Sequence, residues 1–386
     1  MKLPAPPTER SFTSRLHSAA VTARVGSVLG VCFGIAFVTG LISHYAQNVS
    51  HPIPFPTHPA WGYRVTQGLH VITGTACVPL LLVKLWSVYP RLFIRPPKGL
   101  RARVVELVER GSIGVLVASS IFQLASGLSN SAQWYPWDFS FRRTHYAIAW
   151  VALGALVVHI AVKLPIIRGA LTTDVESAEL DRPEATEQGA LSRRGLLRAT
   201  WLATGVAVLA VAGGTVPFLR KVSIFAVRTG EGPQGLPINK SAAAAHITDA
   251  MVGETYRLDV VHGDRTVSLT RHDLQAMSQR TKSLPIACVE GWSAGATWSG
   301  VSVRTLLDLV GAPDNTDVQV YSLQPSGPYR HTVLQGNFAD DGRTLVALEL
   351  NGEPLSRDHG EPARLIAPDR PGVLQTKWLT RLEVTS

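Results

Sequence analysis

The sequence is short of cysteine, with three in 386 residues and no two at the spacing of a metal-binding finger. That scarcity excludes a disulfide framework. Cys32 and Cys77 fall inside apolar runs, where a small buried residue is the ordinary use, so only Cys288 asks for a chemical explanation. Beyond about residue 220 the chain lacks any apolar run long enough to cross a bilayer, and from Asn48 to Ala60 it lacks Lys and Arg. The balance of 37 Lys and Arg against 28 Asp and Glu is basic. These cations flank apolar runs instead of lining one aromatic-studded face, which argues against nucleic acid as a partner. No internal repeat is present.

What the chain does have is length and apolar runs. Runs from Gly26 to Gln47, Gly62 to Trp86, Gly111 to Leu128 and Tyr146 to Pro165 approach or exceed the roughly 20 residues of a spanning helix. Lys84, Arg91, Arg95, Lys98, Arg101 and Arg103 crowd the second connection, and Lys163 and Arg168 follow the fourth run. Positive residues stay inside, so these ends are expected to be cytoplasmic and the Asn48–Ala60 loop to lie outside, with Arg142 and Arg143 as exceptions. Thr172 to Gln188 turns acidic, with Asp174, Glu176, Glu179, Asp181, Glu184 and Glu187, and predicts a cytoplasmic linker.

A fifth apolar stretch, Trp201 to Pro217, follows Ser192-Arg193-Arg194-Gly195-Leu196-Leu197-Arg198. This heptad resembles a twin-arginine export signal, with Leu196 where Phe is commoner and Arg198 where Lys is commoner. The resemblance implies passage of a folded, cofactor-loaded domain through the twin-arginine translocase; the alternative is two arginines flanking an inward helix end. With no evident small-residue cleavage site, the fifth helix is expected to remain as an anchor.

From Ile224 onward the pattern is globular. Tyr256–Val261 and Arg265–Leu269 alternate around His262-Gly263-Asp264 and predict a hairpin. Ser302–Leu309 predicts a short helix stopped at Gly311, and strands are expected at Val318–Leu323, Leu345–Leu350, Arg364–Ala367 and Thr376–Val384. The expected organisation is a cytoplasmic segment (1–25), a four-helix membrane domain (26–168), a linker (169–195), a signal with the fifth helix (196–220) and an extracytoplasmic α+β, mostly β, domain (221–386).

Ionisable residues in spans mark function by default. His145 and His159 are fourteen residues apart in the fourth run. That spacing is roughly 21 Å and nearly four whole turns, so both rings share one helix face. His70 is level with His145, while His17 lies nearer His159, before the first run. Two facing pairs of imidazoles suit haem iron. His44 competes as the outer ligand, and hydrogen bonding between helices is the other use of such histidines; His51 and His58 read as loop residues. Residues 14–168 resemble the bacterial di-haem cytochromes b of the cytochrome b561 and formate dehydrogenase membrane-subunit type. The resemblance implies haem b, one or two, on His17, His70, His145 and His159.

Cys288 stands in Leu-Pro-Ile-Ala-Cys-Val-Glu-Gly-Trp-Ser, where a strand enters a turn and is expected to leave one thiol at an exposed strand end. A thiolate there is a soft metal ligand. With Trp298-Ser-Gly-Val301, Asn351-Gly-Glu-Pro-Leu355, His359-Gly360, Arg364-Leu-Ile-Ala-Pro368 and Lys377-Trp-Leu379, the order resembles the molybdopterin-binding domain of the sulfite oxidase superfamily, from about Gly235 to Val384. This implies Cys288 as the molybdenum ligand and catalytic centre, and Gln375, Thr376 and Lys377 as pterin contacts, a surface strand end being their alternative. Tyr329, Arg330 and Arg370 are candidate anion contacts, with surface roles as the alternative.

Glu290-Gly291-Trp292-Ser293 departs from the arginine-rich run of animal and plant sulfite oxidases toward the bacterial branch that includes protein methionine sulfoxide reductase. Sulfite is therefore not the expected substrate, and the family's dimerisation domain is not expected. Together the resemblances imply a multi-pass oxidoreductase of the cytoplasmic membrane. It would transfer oxygen atoms to or from a small oxyanion or sulfoxide-type substrate on the extracytoplasmic face, and exchange electrons with the quinone pool or a redox protein. The rivals are a molybdoenzyme with a haem-free anchor and a metal-free binding module.

Overall fold

Among the described residues, sustained apolar sequence gives five helices long and apolar enough to cross a membrane: α1 (Ala19–Ala46), α2 (Gly62–Val88), α3 (Leu100–Ser131), α4 (Phe141–Thr172) and α5 (Arg193–Ala212). By length and composition these helices are consistent with a multi-pass membrane protein. The computed structural model describes residues 7–49, 55–94, 98–226 and 232–385, so Arg95 and His51 lie outside the described residues. The chain divides into two units, Met1–Val38 with His70–Val211 and Thr39–Leu69 with Ala212–Ser386.

The helices overrun their apolar runs. α1 begins at Ala19, inside the expected 1–25 segment, and α3 begins eleven residues before Gly111. Arg and Glu are good helix formers, and Glu106 pairs with Arg110 at 2.6 Å one turn on, so the charged ends stay helical. α5 starts at Arg193, where Ser192 caps its first turn by accepting the Gly195 N–H at 3.0 Å, and ends at Ala212, before Pro217.

The acidic segment is no loose linker. Asp181 pairs with Arg15 at 3.1 Å and with Arg193, whose guanidinium also donates to the carbonyls of Arg15, Val175 and Ser177. Val175 packs with Ala20, Val21, Val25, Leu80 and Leu197. Asp181 therefore neutralises the buried Arg193, which a composition-based reading cannot see. In the same unit Gln123 donates to the His145 carbonyl at 2.9 Å, and Phe37 of α1 meets Trp150 of α4 edge-on at 5.0 Å.

In the second unit, β1 (Leu258–His262) and β2 (Arg265–Leu269) form the expected hairpin. With β5 (Val318–Ser322), β6 (His331–Leu334) and β10 (Leu379–Val384) they make a sheet ordered β2-β1-β10-β5-β6, in which β1 and β10 run parallel. The second sheet is β3-β4-β7-β8, from β3 (Arg280–Ala287), β4 (Ser293–Ser302), β7 (Leu345–Leu350) and β8 (Glu353–Pro354), with β9 (Arg364–Ile366) also on β7. The strand expected from Thr376 starts only at Leu379. Short helices α6 (Asp249–Val252), α7 (Arg271–Ala276), α8 (Val303–Asp308, the expected one) and α9 (Gly336–Ala339) fill the connections. Side chains alternate along a strand. Val346 and Leu348 of β7 accordingly enter the core shared with Val260, Val318 and Leu382 of the first sheet, while Leu345 and Ala347 enter the layer that holds Cys288.

Candidate functional site

β3 and β4 pair antiparallel up to Ala287 opposite Ser293, and the intervening turn carries the cysteine. The Cys288 N–H donates to the Trp292 carbonyl at 2.9 Å and the Gly291 N–H returns to the Cys288 carbonyl at 3.1 Å. Gly291 sits at φ +91°, a conformation that costs a side-chain-bearing residue strain. The thiol is not at an exposed strand end as expected: Cys288 is 1% exposed, because Trp292, Leu236 and Ile286 pack around it.

Cys288 opens into a cleft lined by Ile286, Trp292, His359, Arg364, Gly372 and Lys377 among others. The Cys288 thiol donates to Glu290 Oε2 at 3.4 Å, and the same oxygen accepts the Trp292 indole N–H at 3.0 Å. Burial, then the neighbouring Glu290, pushes the thiol well above its ordinary range. By itself the group is a thiol, and a metal ion is what would make it a thiolate.

Cations face it. Arg364 donates to the His359 carbonyl at 3.2 Å and lies 5.2 Å over the Trp298 ring. Its buried Nε has no hydrogen-bond partner among the described residues. Lys377 donates to the carbonyls of Lys240 and Asp358 at 2.9 and 2.8 Å. Neither meets a carboxylate within ion-pair distance among the described residues. Burial lowers the Lys377 ammonium to about 7, with Arg364 adding to the lowering, and burial lowers Arg364 to about 10. His359 falls to about 4, by burial and then by Arg364. A side chain at Gly372 would come 3.0 Å from the Ala287 carbonyl, so the glycine lets that loop close on the end of β3.

Of the three residues expected at the pterin, only Lys377 lines the cleft. Gln375 and Thr376 are buried, not on a surface strand end. Gln375 donates to the carbonyls of Arg370 at 2.9 Å and Ala367 at 3.4 Å, and Thr376 bonds Thr332 at 3.2 Å; both hold the loop's shape. Arg370 is interior as well, donating to Leu374 and Val333 carbonyls, while Arg330 is exposed and Tyr329 partly so. His359 and Arg364 were visible in the motif but had no role assigned. An arginine inside an apolar strand run, costly unless compensated, was the signal.

In the first unit, His70 and His145 face each other with ring centroids 6.3 Å apart. Nδ1 of His70 contacts the Ala36 carbonyl at 2.8 Å and Nδ1 of His145 contacts Ser126 Oγ at 3.0 Å. His17 instead packs, tilted by 35°, on the Trp86 ring at 4.2 Å between centroids and hydrogen-bonds the Trp86 carbonyl at 3.1 Å. Among the described residues it makes no hydrogen bond or ring contact with His159, so that expected pair is not in contact.

Comparison with known proteins finds a family model that matches the C-terminal part of the chain. Residues 244–386 match the model of the oxidoreductase molybdopterin binding domain. Mitochondrial sulfite oxidase of Drosophila melanogaster is 33% identical over 156 residues, which is 34% of this chain and 27% of that protein. The provisionally named protein-methionine-sulfoxide reductase subunit YedZ1 of Azospira oryzae is 32% identical over 117 residues, 30% of this chain and 44% of its own. The sulfane dehydrogenase SoxCD of Paracoccus pantotrophus overlaps at 23% identity and a TM-score of 0.31, over 34% of this chain and 38% of its own. The chain thus spans less than half the length of these relatives.

Proposed function

From the premise that residues 244–386 are a molybdopterin-binding oxidoreductase domain of the sulfite oxidase and YedZ type, we propose that the chain is a membrane-bound molybdoenzyme. In this reading it carries out oxygen-atom transfer on an oxyanion or sulfoxide-type substrate at the extracytoplasmic face. Haem b in the membrane helices links it to the quinone pool or a redox protein, and the domain is exported folded by the twin-arginine route. The observation that carries the reading is Cys288 in one cleft with a buried Arg364 and a half-buried Lys377, neither of which has a carboxylate within ion-pair distance among the described residues.

The residues fit the cofactor. An unpartnered Arg364 Nε, an ammonium without a carboxylate and the glycine-walled cleft suit an anionic, phosphate-bearing group beside a metal. Cys288 would ligate molybdenum, while Arg364 and Lys377 would hold the pterin's anionic part. When bound, the cofactor supplies two-electron oxygen-atom chemistry. The chain's own share is to bind and to exclude water. Ile286, Leu236 and Trp292 wall off solvent, and Lys377, drawn back to its charged form by the anion, stays protonated at Nζ.

The paired histidines fit haem iron. Two imidazoles that each approach one metal at about 2 Å have centroids roughly 6 Å apart, as His70 and His145 do. With Nδ1 of each ring engaged by the protein, each would ligate through Nε2, in a fixed orientation. His159 and His17 are proposed for a second haem.

The test is molybdenum by elemental analysis and a reduced-minus-oxidised spectrum on wild type and Cys288→Ser. Molybdenum and b-type haem in the wild type, with molybdenum falling to background and activity lost in Cys288→Ser, are expected. No molybdenum in wild type from a cofactor-competent host would leave a binding module.

A further inference from the structure

α2 reaches the cysteine turn from outside the domain that matches the family model, and it does so on both flanks. Tyr63 packs against Ala287, the residue before Cys288, in a buried cluster with Ala46. Gln67, one turn on, donates its side-chain amide to the carbonyl of Val289, the residue after Cys288, at 3.2 Å. Residues four apart share a helix face, so one stripe of α2 grips the ligand from two sides.

Both gripping residues are themselves held. Ser43 donates to Gln67 Oε1 at 3.0 Å and bonds the Tyr63 hydroxyl at 2.9 Å, while Gln47 reaches Ser43 at 2.7 Å and the Tyr63 hydroxyl at 3.3 Å. At the start of α2, Asp369 accepts the Tyr63 backbone N–H, and its own N–H donates to the Ala60 carbonyl at 3.2 Å. Asp369 belongs to the loop that continues into Gly372, against Ala287. The helix end, the cysteine turn and the cleft loop thus form one hydrogen-bonded assembly.

We propose that Tyr63 and Gln67 are positioning residues that fix the Cys288 turn, and with it the sulfur, for its metal. The proposal rests on Cys288 being the molybdenum ligand. The same stripe of α2 goes on to His70, three residues after Gln67, so the helix that orients the thiol also carries one of the facing histidines.

The test uses the full chain in nanodiscs, cofactor-free, with Cys32→Ala and Cys77→Ala so that Cys288 is the sole thiol. The readout is its rate of maleimide alkylation, taken at the same interval below each variant's own thermal midpoint. Gln67→Leu, close to isosteric but without a donor, is expected to raise the rate about tenfold. Gln67→His, which keeps a ring N–H near the amide's position, is expected to restore it. An unchanged rate in Gln67→Leu, or an equal rise in Gln67→His, would overturn the positioning role. In loaded protein, Gln67→Leu is expected to alter the Mo(V) paramagnetic line shape with unchanged haem absorbance, and an unaltered line would also count against it. Wild type that takes up no molybdenum would instead sink the proposed function, an outcome the alkylation rates keep separate.

Discussion

Arg193 and Arg364 are equally buried, each 2% exposed, and the two units treat them in opposite ways. Arg193 is saturated: a carboxylate from Asp181 and three backbone carbonyls take its donors. Arg364 has one carbonyl, the face of Trp298 and a donor with no partner among the described residues. A buried charge costs several kcal/mol unless it is compensated. The first arginine is compensated by the chain, which makes it structural. The second stands beside a cleft and a thiol, which leaves its compensation to a bound anion.

The contrast can be broken by experiment. Arg193→Ala should have the largest effect on stability, because it leaves Asp181 with Arg15 alone and takes the donor from three backbone carbonyls. Thermal or denaturant unfolding is expected to show a loss of about 3–5 kcal/mol; a change under about 1 kcal/mol would mean the pair is not load-sharing. Arg364→Met should do the reverse. The cofactor-free protein is expected to be as stable as wild type or more so, while cofactor affinity falls by about 1.5–3 kcal/mol, roughly ten- to hundredfold, read as molybdenum occupancy. If Arg364→Met unfolds the cofactor-free protein instead, the distinction between the two arginines fails.

A pH profile sharpens the same point. Burial, then Arg364, depresses Lys377 to about 7 in the fold, below its unfolded value of about 10.4. Between these values the fold holds fewer protons than the unfolded chain, so this contribution is complete above about pH 10 and lost as the pH falls through about 7. The thermal midpoint of cofactor-free protein should rise with pH across that window, and Lys377→Met should flatten the slope. The smallest effect belongs to Arg194→Ala. Its ion pair with Asp174 has both side chains more than half exposed, and an unchanged thermal midpoint is expected.

Legibility in the sequence followed how local the cause was. The β1–β2 hairpin, β7 and the short helix α8 were readable because alternation and capping act within a few residues. Cys288 and Lys377, singled out by motif order, line one cleft. The Gln375 and Thr376 side chains turn inward to Arg370 and Thr332, a direction that motif position does not specify. The acidic segment looked like a solvated linker because its partners, Arg15 and Arg193, are set by folding.

By itself the sequence determined five apolar helices, a mostly β domain after them and one candidate for chemistry among three cysteines, since hydrophobic length, period and composition are properties of short stretches. Only the tertiary structure decided that the thiol is buried, that Arg364 lacks a counter-charge where Arg193 has one, and that Gln67 meets Val289 across 222 residues of chain. Burial and compensation of charge arise from groups distant in sequence, and it is their meeting in space that sets the electrostatics of the cleft.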